Sequence, residues 1–313
     1  MIPLFLISAL VTGMVFLFLS SKKAIEHTVH FASRLKISPF LIGFVMVSVG
    51  TDLPEIANSI MSCMAGHGDI NVGDSIGSVL AQTTLVLGLI PFFANGFKVD
   101  RREMIILGIF EVLALGLLLL ILQIGLTQLT AFILLATWPV LIFLVRRVSP
   151  ERDATKEYVW RLSKKSIYFH LMIATIAFAG VALGSFVVIQ SVIMLSAEVG
   201  LPEYLISFFV IGIGTSLPEL GVTIEGVSKG HTQLVLGNIA GSCVFDSLVA
   251  VSLGPLLFPS VVSAGVALET GLYTLFVTAV VFLTLSFRKK LDRRAGLLFI
   301  ILYILSFSLL FIG

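Results

Sequence analysis

Residues 50–55 read Gly-Thr-Asp-Leu-Pro-Glu and residues 214–219 read Gly-Thr-Ser-Leu-Pro-Glu, both inside stretches that are otherwise apolar. Each hexad joins a carboxylate to the two residue types that most disturb a helix. Pro54 and Pro218 have no N–H, so the carbonyls of Gly50 and Gly214 lose their helical partners, and the Gly-Thr before them loosens the turn further. Other polar residues follow at helical spacing. Thr51, Glu55, Asn58, Ser59 and Ser62 fall on one face. Asp74, Ser78 and Gln82 recur every four residues, as do Asn238, Ser242 and Asp246, and Thr215 with Glu219 makes a fourth stripe. Carboxylates, hydroxyls, an amide and freed carbonyls form an all-oxygen donor set. Such a set suits the hard cations Na⁺ and Ca²⁺, whereas Zn²⁺ and Cu²⁺ seek His or Cys.

The elements that carry these stripes are hydrophobic. Of the 313 residues, 58% are hydrophobic and 12% charged, against about 25% charged in a soluble domain. Apolar runs of 18 or more residues recur, each able to cross a bilayer core of roughly 30 Å as a helix. The chain reads as an all-α polytopic membrane protein with ten spans, at about 2–20, 38–64, 70–95, 103–123, 126–146, 168–197, 204–228, 233–258, 263–286 and 293–312. The first apolar stretch, from Ile2 to Leu19, has no basic residue before it and reads as a span rather than a cleaved leader. The loops after spans 1, 3, 5 and 9 hold nineteen of the twenty Lys and Arg residues, and Lys229 follows span 7. That bias places the loops after odd spans in the cytoplasm and both termini outside, in the plasma membrane.

Charge inside such a bundle needs a partner. A charged group at membrane depth costs at least about 2.5–3.5 kcal/mol and faces a cavity or a counter-charge. No Lys or Arg lies at that depth to offset Asp52, Glu55, Glu219 or Asp246, so a bound cation or a proton is the expected partner. For Ser59, Ser62 and Thr223, hydrogen-bonding between helices is an equal alternative. Cys63 and Cys243 read as core packing, and the five histidines, at loops or helix ends, match no metal spacing. Glu111 is assigned no role.

The two halves repeat each other. At an offset of 164 residues, Gly50-Thr51 falls on Gly214-Thr215, Leu53-Pro54-Glu55 on Leu217-Pro218-Glu219, Gly73 on Gly237, and Gly77-Ser78 on Gly241-Ser242. Five spans per half make the second copy enter the membrane from the opposite side. This gives two inverted five-helix repeats, 1–146 and 168–313, joined by a cytoplasmic linker at 147–167 too short for a folded regulatory domain. In transporters built this way, the ion site lies near the midplane between the repeats. The Gly73/Gly77 and Gly237/Gly241 pairs read as close helix–helix approaches.

The stretches Gly50–Gly88 and Gly212–Gly254 resemble the two alpha repeats of the cation/calcium exchanger superfamily, most of all the sodium/calcium exchangers of prokaryotes. The resemblance covers the whole chain. It implies a core of spans 2, 3, 7 and 8, with spans 1 and 6 sliding across it. It implies that Glu55 and Glu219 are shared ligands of Ca²⁺ or Na⁺ and that the Thr51 and Thr215 carbonyls complete the Ca²⁺ site. Ser78 and Ser242 serve flanking Na⁺ sites with the backbone near Ser48 and Gly212, and Asp246 is central. Three positions depart from the family pattern: Asp52 where a small polar residue is usual (Ser216 in the second half), Gln82 where Asn is usual, and Asp74 where Asn is usual.

The expectation is a Na⁺/Ca²⁺ antiporter, not an enzyme. It has no prosthetic group, no nucleic-acid partner and no obligate protein partner; its partners are the transported ions and the bilayer. A fourth core carboxylate, Asp52, opens the alternative of H⁺/Ca²⁺ exchange. An intramembrane protease would need an aspartate dyad in place of these symmetric glutamates, and a pore would have no use for interrupted helices in inverted halves.

Overall fold

A computed structural model describes residues 2–34, 52–93, 96–148, 166–228 and 232–308. Ser48, Thr51 and nearly all of the linker lie outside the described residues. The chain is predominantly helical. α1 (Ile2–Arg34) is followed by α2 (Leu53–Met64), α3 (Gly68–Leu80) and α4 (Leu87–Phe93). Next come α5 (Arg101–Ile124), α6 (Gln128–Val148) and α7 (Ile167–Val199). The segment α8 (Glu203–Ile206), α9 (Gly212–Thr215) and α10 (Leu217–Ser228) runs nearly without a break. α11 (Thr232–Phe245), α12 (Val251–Leu257), α13 (Ala264–Arg288) and α14 (Arg293–Ser306) complete it.

Seven helical segments among the described residues are long and apolar enough to cross a membrane, including Leu4–Ala24, Gly68–Phe93 and Val235–Leu257. α6 contributes a shorter apolar stretch, Gln128–Leu141. The expected second span starts, and the tenth ends, outside the described residues. Mid-helix side chains such as Leu113, Ile176 and Phe276 are more than half exposed. Apolar surface of that kind is stable facing lipid. The all-α expectation misses one element: β1 (Phe97–Lys98) pairs antiparallel with β2 (Lys290–Leu291), joining the connections that precede α5 and α14. Beside it, Asp292 accepts from Lys290 Nζ at 2.8 Å, from the Ala295 N–H at 3.0 Å and from Arg288 Nη2 at 2.9 Å. These bonds, that of Lys290 foremost, hold its carboxyl well below the usual carboxylate range.

Helix boundaries recur at the sequence offset. α2 and α10 start and end 164 residues apart, and so do α4 and α12. α3 and α11 start at the same offset. Both are followed by a π-helical stretch, Ala81–Val86 and Asp246–Ala250, in which a wider turn admits an extra residue. A third such stretch, Ser207–Ile211, precedes α9.

Buried apolar side chains form two clusters. The larger draws on α3 to α6, α8 and α10 to α14. The smaller is made chiefly by α1 and α7, closed by Ile70, Ile206 and Ile211. α1 and α7 approach closely because of glycine: a Cβ on Gly184 would sit 2.9 Å from the Leu17 backbone, and one on Gly13 3.0 Å from Val187. Gly73 and Gly77 let α3 cross the α8 segment, where added Cβ atoms would meet the carbonyl oxygens of Tyr204 and Phe208 at 2.5 and 2.1 Å. For the second glycine pair, Gly237 and Gly241, no atom of the described residues lies within 4 Å of the Cβ position, and the positions equivalent to Tyr204 and Phe208 lie outside the described residues.

Candidate cation site

The two hexads start a helix at the same point. Asp52 precedes α2 and Ser216 separates α9 from α10, so each new helix starts at Leu-Pro-Glu with its proline in the first turn. That is where a missing N–H costs nothing, and it sets Glu55 and Glu219 in the first turn, near the positive end of each helix dipole. At the second break the Ser216 N–H turns back to the Gly214 carbonyl, and its hydroxyl donates to the Gly212 carbonyl at 2.7 Å. The carbonyl expected to be freed by Pro218 is therefore engaged within the turn.

The stripes converge. Asp52, Glu55, Ser78, Gln82, Thr215, Ser216, Glu219, Ser242 and Asp246 are all at most 2% exposed. The strongest electrostatic neighbour of Glu55 is its equivalent Glu219, followed by Asp246, Asp52 and Asp74. Neither carboxylate oxygen of Glu55, nor Oδ1 of Asp246, has a hydrogen-bond partner among the described residues. Buried oxygens left in that condition are costly unless something supplies positive charge.

Several hydrogen bonds tie the halves together around these acids. Gln82 Nε2 donates to Asp246 Oδ2 at 3.0 Å. Ser242 donates to Asp52 Oδ1. Ser78 Oγ lies 3.0 Å from Thr215 Oγ1, which reaches Asp74 Oδ1 at 3.1 Å. Asp74 also receives Asn58 Nδ2 at 3.0 Å on its other oxygen, and Asn58 accepts the hydroxyl of Ser185, on α7, at 2.8 Å. Among the described residues, no three His, Cys, Asp or Glu side chains converge closely enough to hold one metal ion. A cation bridging the glutamates therefore needs hydroxyl and carbonyl oxygens as well, which is the donor set read from the stripes.

Several participants escape sequence reading. Ser185 sits in a long apolar helix with no sign of its role. Cys243 is more than packing, because its thiol donates to Gln82 Oε1 at 3.2 Å. Asp74, placed on a polar stripe but given no ligand role, accepts hydrogen bonds from two other helices. Ser59 links helices, accepting the Gly254 N–H at 3.0 Å. Glu111 is fully buried, with neither oxygen partnered among the described residues. Two histidine contacts are visible only in three dimensions: His27 Nδ1 lies 3.1 Å from His170 Nδ1, and His67 Nδ1 lies 2.7 Å from Glu203 Oε2.

α1 lies over both breaks. Met14, Leu17 and Phe18 line a small crevice with Pro54, Gly214, Thr215 and Pro218. A Cβ on Gly214 would meet Met14 Sδ at 2.3 Å, so a side chain at residue 214 would displace the Met14 thioether from the second Gly-Thr turn.

A bundle of membrane helices around a buried, cross-linked set of acids and hydroxyls is the architecture of an ion transporter. The chain belongs to the sodium/calcium exchanger protein family, whose model matches residues 5–146 and again 169–312. It is 27% identical to CaxA of Alkalimonas amylolytica over 93% of this chain and 94% of that one. It is 23% identical to the sodium/calcium exchanger MaX1 of Methanosarcina acetivorans, over 96% and 97%. Its fold is similar to that of the solved sodium–calcium exchanger NCX_Mj, with a TM-score of 0.61, 22% identity, and 98% and 99% of the two chains covered.

Proposed function

We propose that this protein is a secondary active antiporter that exchanges Na⁺ for Ca²⁺ by alternating access, as two inverted five-helix repeats with the ion site between them. The observation that carries the proposal is that Glu55 and Glu219, equivalent residues of the two halves, are both buried and close enough for their charges to act on each other. One divalent ion, or several monovalent ones, balances such a pair, and competition for shared ligands couples the two fluxes.

In this reading Glu55 and Glu219 bind either ion, and the carbonyls of Thr51 and Thr215 complete the Ca²⁺ position. Ser78 and Ser242, with the backbone at Ser48 and Gly212, serve Na⁺. Asp246 is the central acid, and Gln82 fixes its orientation. Ser216 stands where the first half has Asp52. The separate apolar cluster of α1 and α7 supports their sliding as a pair over this core. The charge bias of the connections supports cytoplasmic loops after odd spans and termini outside, in the plasma membrane.

One observation favours a second reading. Asp52 is fully buried within this site and bonded across the halves by Ser242. In that reading Asp52 carries a proton in exchange for Ca²⁺. Reconstitution separates the two: a Na⁺ gradient at uniform pH drives Ca²⁺ uptake under the first, whereas a pH gradient without Na⁺ drives it under the second.

A further inference from the structure

The ribbon of β1 and β2 gathers charge that the sequence spreads over two distant connections. Lys98, Arg101 and Arg102 come from one, and five more cations between Arg288 and Arg294 come from the other. All eight are exposed, against three acids, Asp100, Glu103 and Asp292. Asp292 is taken up by Arg288 and Lys290. The side chains of Lys98, Arg102, Lys289 and Arg294 make no ion pair or hydrogen bond among the described residues.

We infer that this end of the molecule binds the anionic headgroup of a membrane phospholipid. Three observations lead there. Lys98 and Lys290 stand directly opposite each other in a ribbon two residues long. Facing like charges destabilise a strand pair, and so short a ribbon is marginal alone; Asp292 offsets Lys290, and an anion over Lys98 removes the rest of the conflict. Next, α5 and α14 both begin beside the ribbon, each capped by its own aspartate, Asp100 or Asp292, so the side chains of Lys98, Arg102, Lys289 and Arg294 are the positive charge left over for a ligand. Last, the apolar surface directly adjoins the charge. The Arg101 guanidinium lies 5.6 Å from the ring centre of Phe287, itself 70% exposed, and Phe93 and Leu297 are 64% and 53% exposed. A cation held over an exposed ring at the end of a membrane helix meets a phosphate and an acyl chain together. A soluble phosphate would use only the first.

The test is lipid retention, which does not depend on which ions are carried. Protein loaded with phosphatidylglycerol is exchanged into lipid-free neutral detergent, and bound lipid is counted by native mass spectrometry. The wild type is expected to retain phosphatidylglycerol. K98Q/R102Q should retain roughly fivefold less or lower, while K22Q/K23Q, which removes equal charge from the end of α1, should match the wild type. The unfolding midpoint should rise when phosphatidylglycerol is added to neutral lipid for the wild type and K22Q/K23Q, but not for K98Q/R102Q. If K98Q/R102Q does not fold, R294Q, in the first turn of α14, decides the matter by the same loss. Equal retention by all the proteins, or equal loss in K22Q/K23Q, overturns the inference. Displacement of the retained lipid by glycerol phosphate overturns the lipid assignment in favour of a free-phosphate site.

Discussion

Gln82 and Asp246 occupy equivalent positions 164 residues apart, and the amide of one donates to the carboxylate of the other at 3.0 Å. In the proposed arrangement of two inverted halves, equivalent residues touch where the axis relating the halves passes between them. The surrounding helices keep the same offset: each residue lies in a π-helical stretch after a helix of matching start. The bond is also asymmetric, an amide against an acid, so it can hold Asp246 Oδ2 while leaving Oδ1 for a cation. Gln82→Leu removes the donor without adding charge. It is expected to cost about 1–3 kcal/mol of stability and most of the transport. Gln82→Asn, one carbon shorter, should fold and alter the relative half-saturating concentrations of Na⁺ and Ca²⁺. Flux in proteoliposomes and thermal unfolding in detergent read both.

Asp52 distinguishes the coupling ions. It accepts from Ser242 across the halves, and an asparagine can accept the same bond through its carbonyl oxygen. Asp52→Asn should therefore fold normally. Under Na⁺ coupling it retains Na⁺-driven Ca²⁺ flux with shifted ion preference. Loss of pH-driven flux in this variant, with Na⁺-driven flux absent from the wild type, would move the account to proton exchange.

Asp74 links α7 to the site through Asn58 and Ser185, and it holds the Thr215 hydroxyl. Asp74→Ala strands several buried donors at once and should destabilise by about 1–3 kcal/mol or more. The exchange N58D/D74N restores the amide–carboxylate pairing with its direction reversed. It should recover the unfolding midpoint but not the Na⁺ affinity, because the acceptor for Thr215 is changed.

Gly77 marks a backbone crossing. Its missing Cβ would lie 2.1 Å from the Phe208 carbonyl oxygen, and neither backbone can yield without moving a helix. Gly77→Val should leave little folded protein after detergent extraction. Gly116→Ala, on α5 with no atom of the described residues within 4 Å of the added Cβ, should extract like the wild type. A size-exclusion profile of each variant checks the pair.

The membrane class and the acid positions were legible because composition and helical spacing act locally. Glu55 and Glu219 could be paired as equivalents because Pro54 and Pro218 announce the helix starts and the 164-residue offset relates them. What stayed hidden depends on contacts between distant segments. Nothing near Ser185 indicates that its hydroxyl meets Asn58, and Cys243 in an apolar run gives no hint of Gln82. The π-helical stretches were missed because Ala81–Val86 contains no glycine or proline to mark a change of winding. Phe97–Lys98 is too short for alternation to show as a strand.

The central claim is that Glu55 and Glu219 form one site used in turn by Na⁺ and Ca²⁺. Radiolabelled Ca²⁺ uptake into proteoliposomes, at uniform pH with an outward Na⁺ gradient, tests it most directly. The account predicts uptake by the wild type that collapses with the gradient and is abolished in both Glu55→Gln and Glu219→Gln, each shown to be folded by its elution profile. Na⁺-driven uptake surviving in both variants would contradict it.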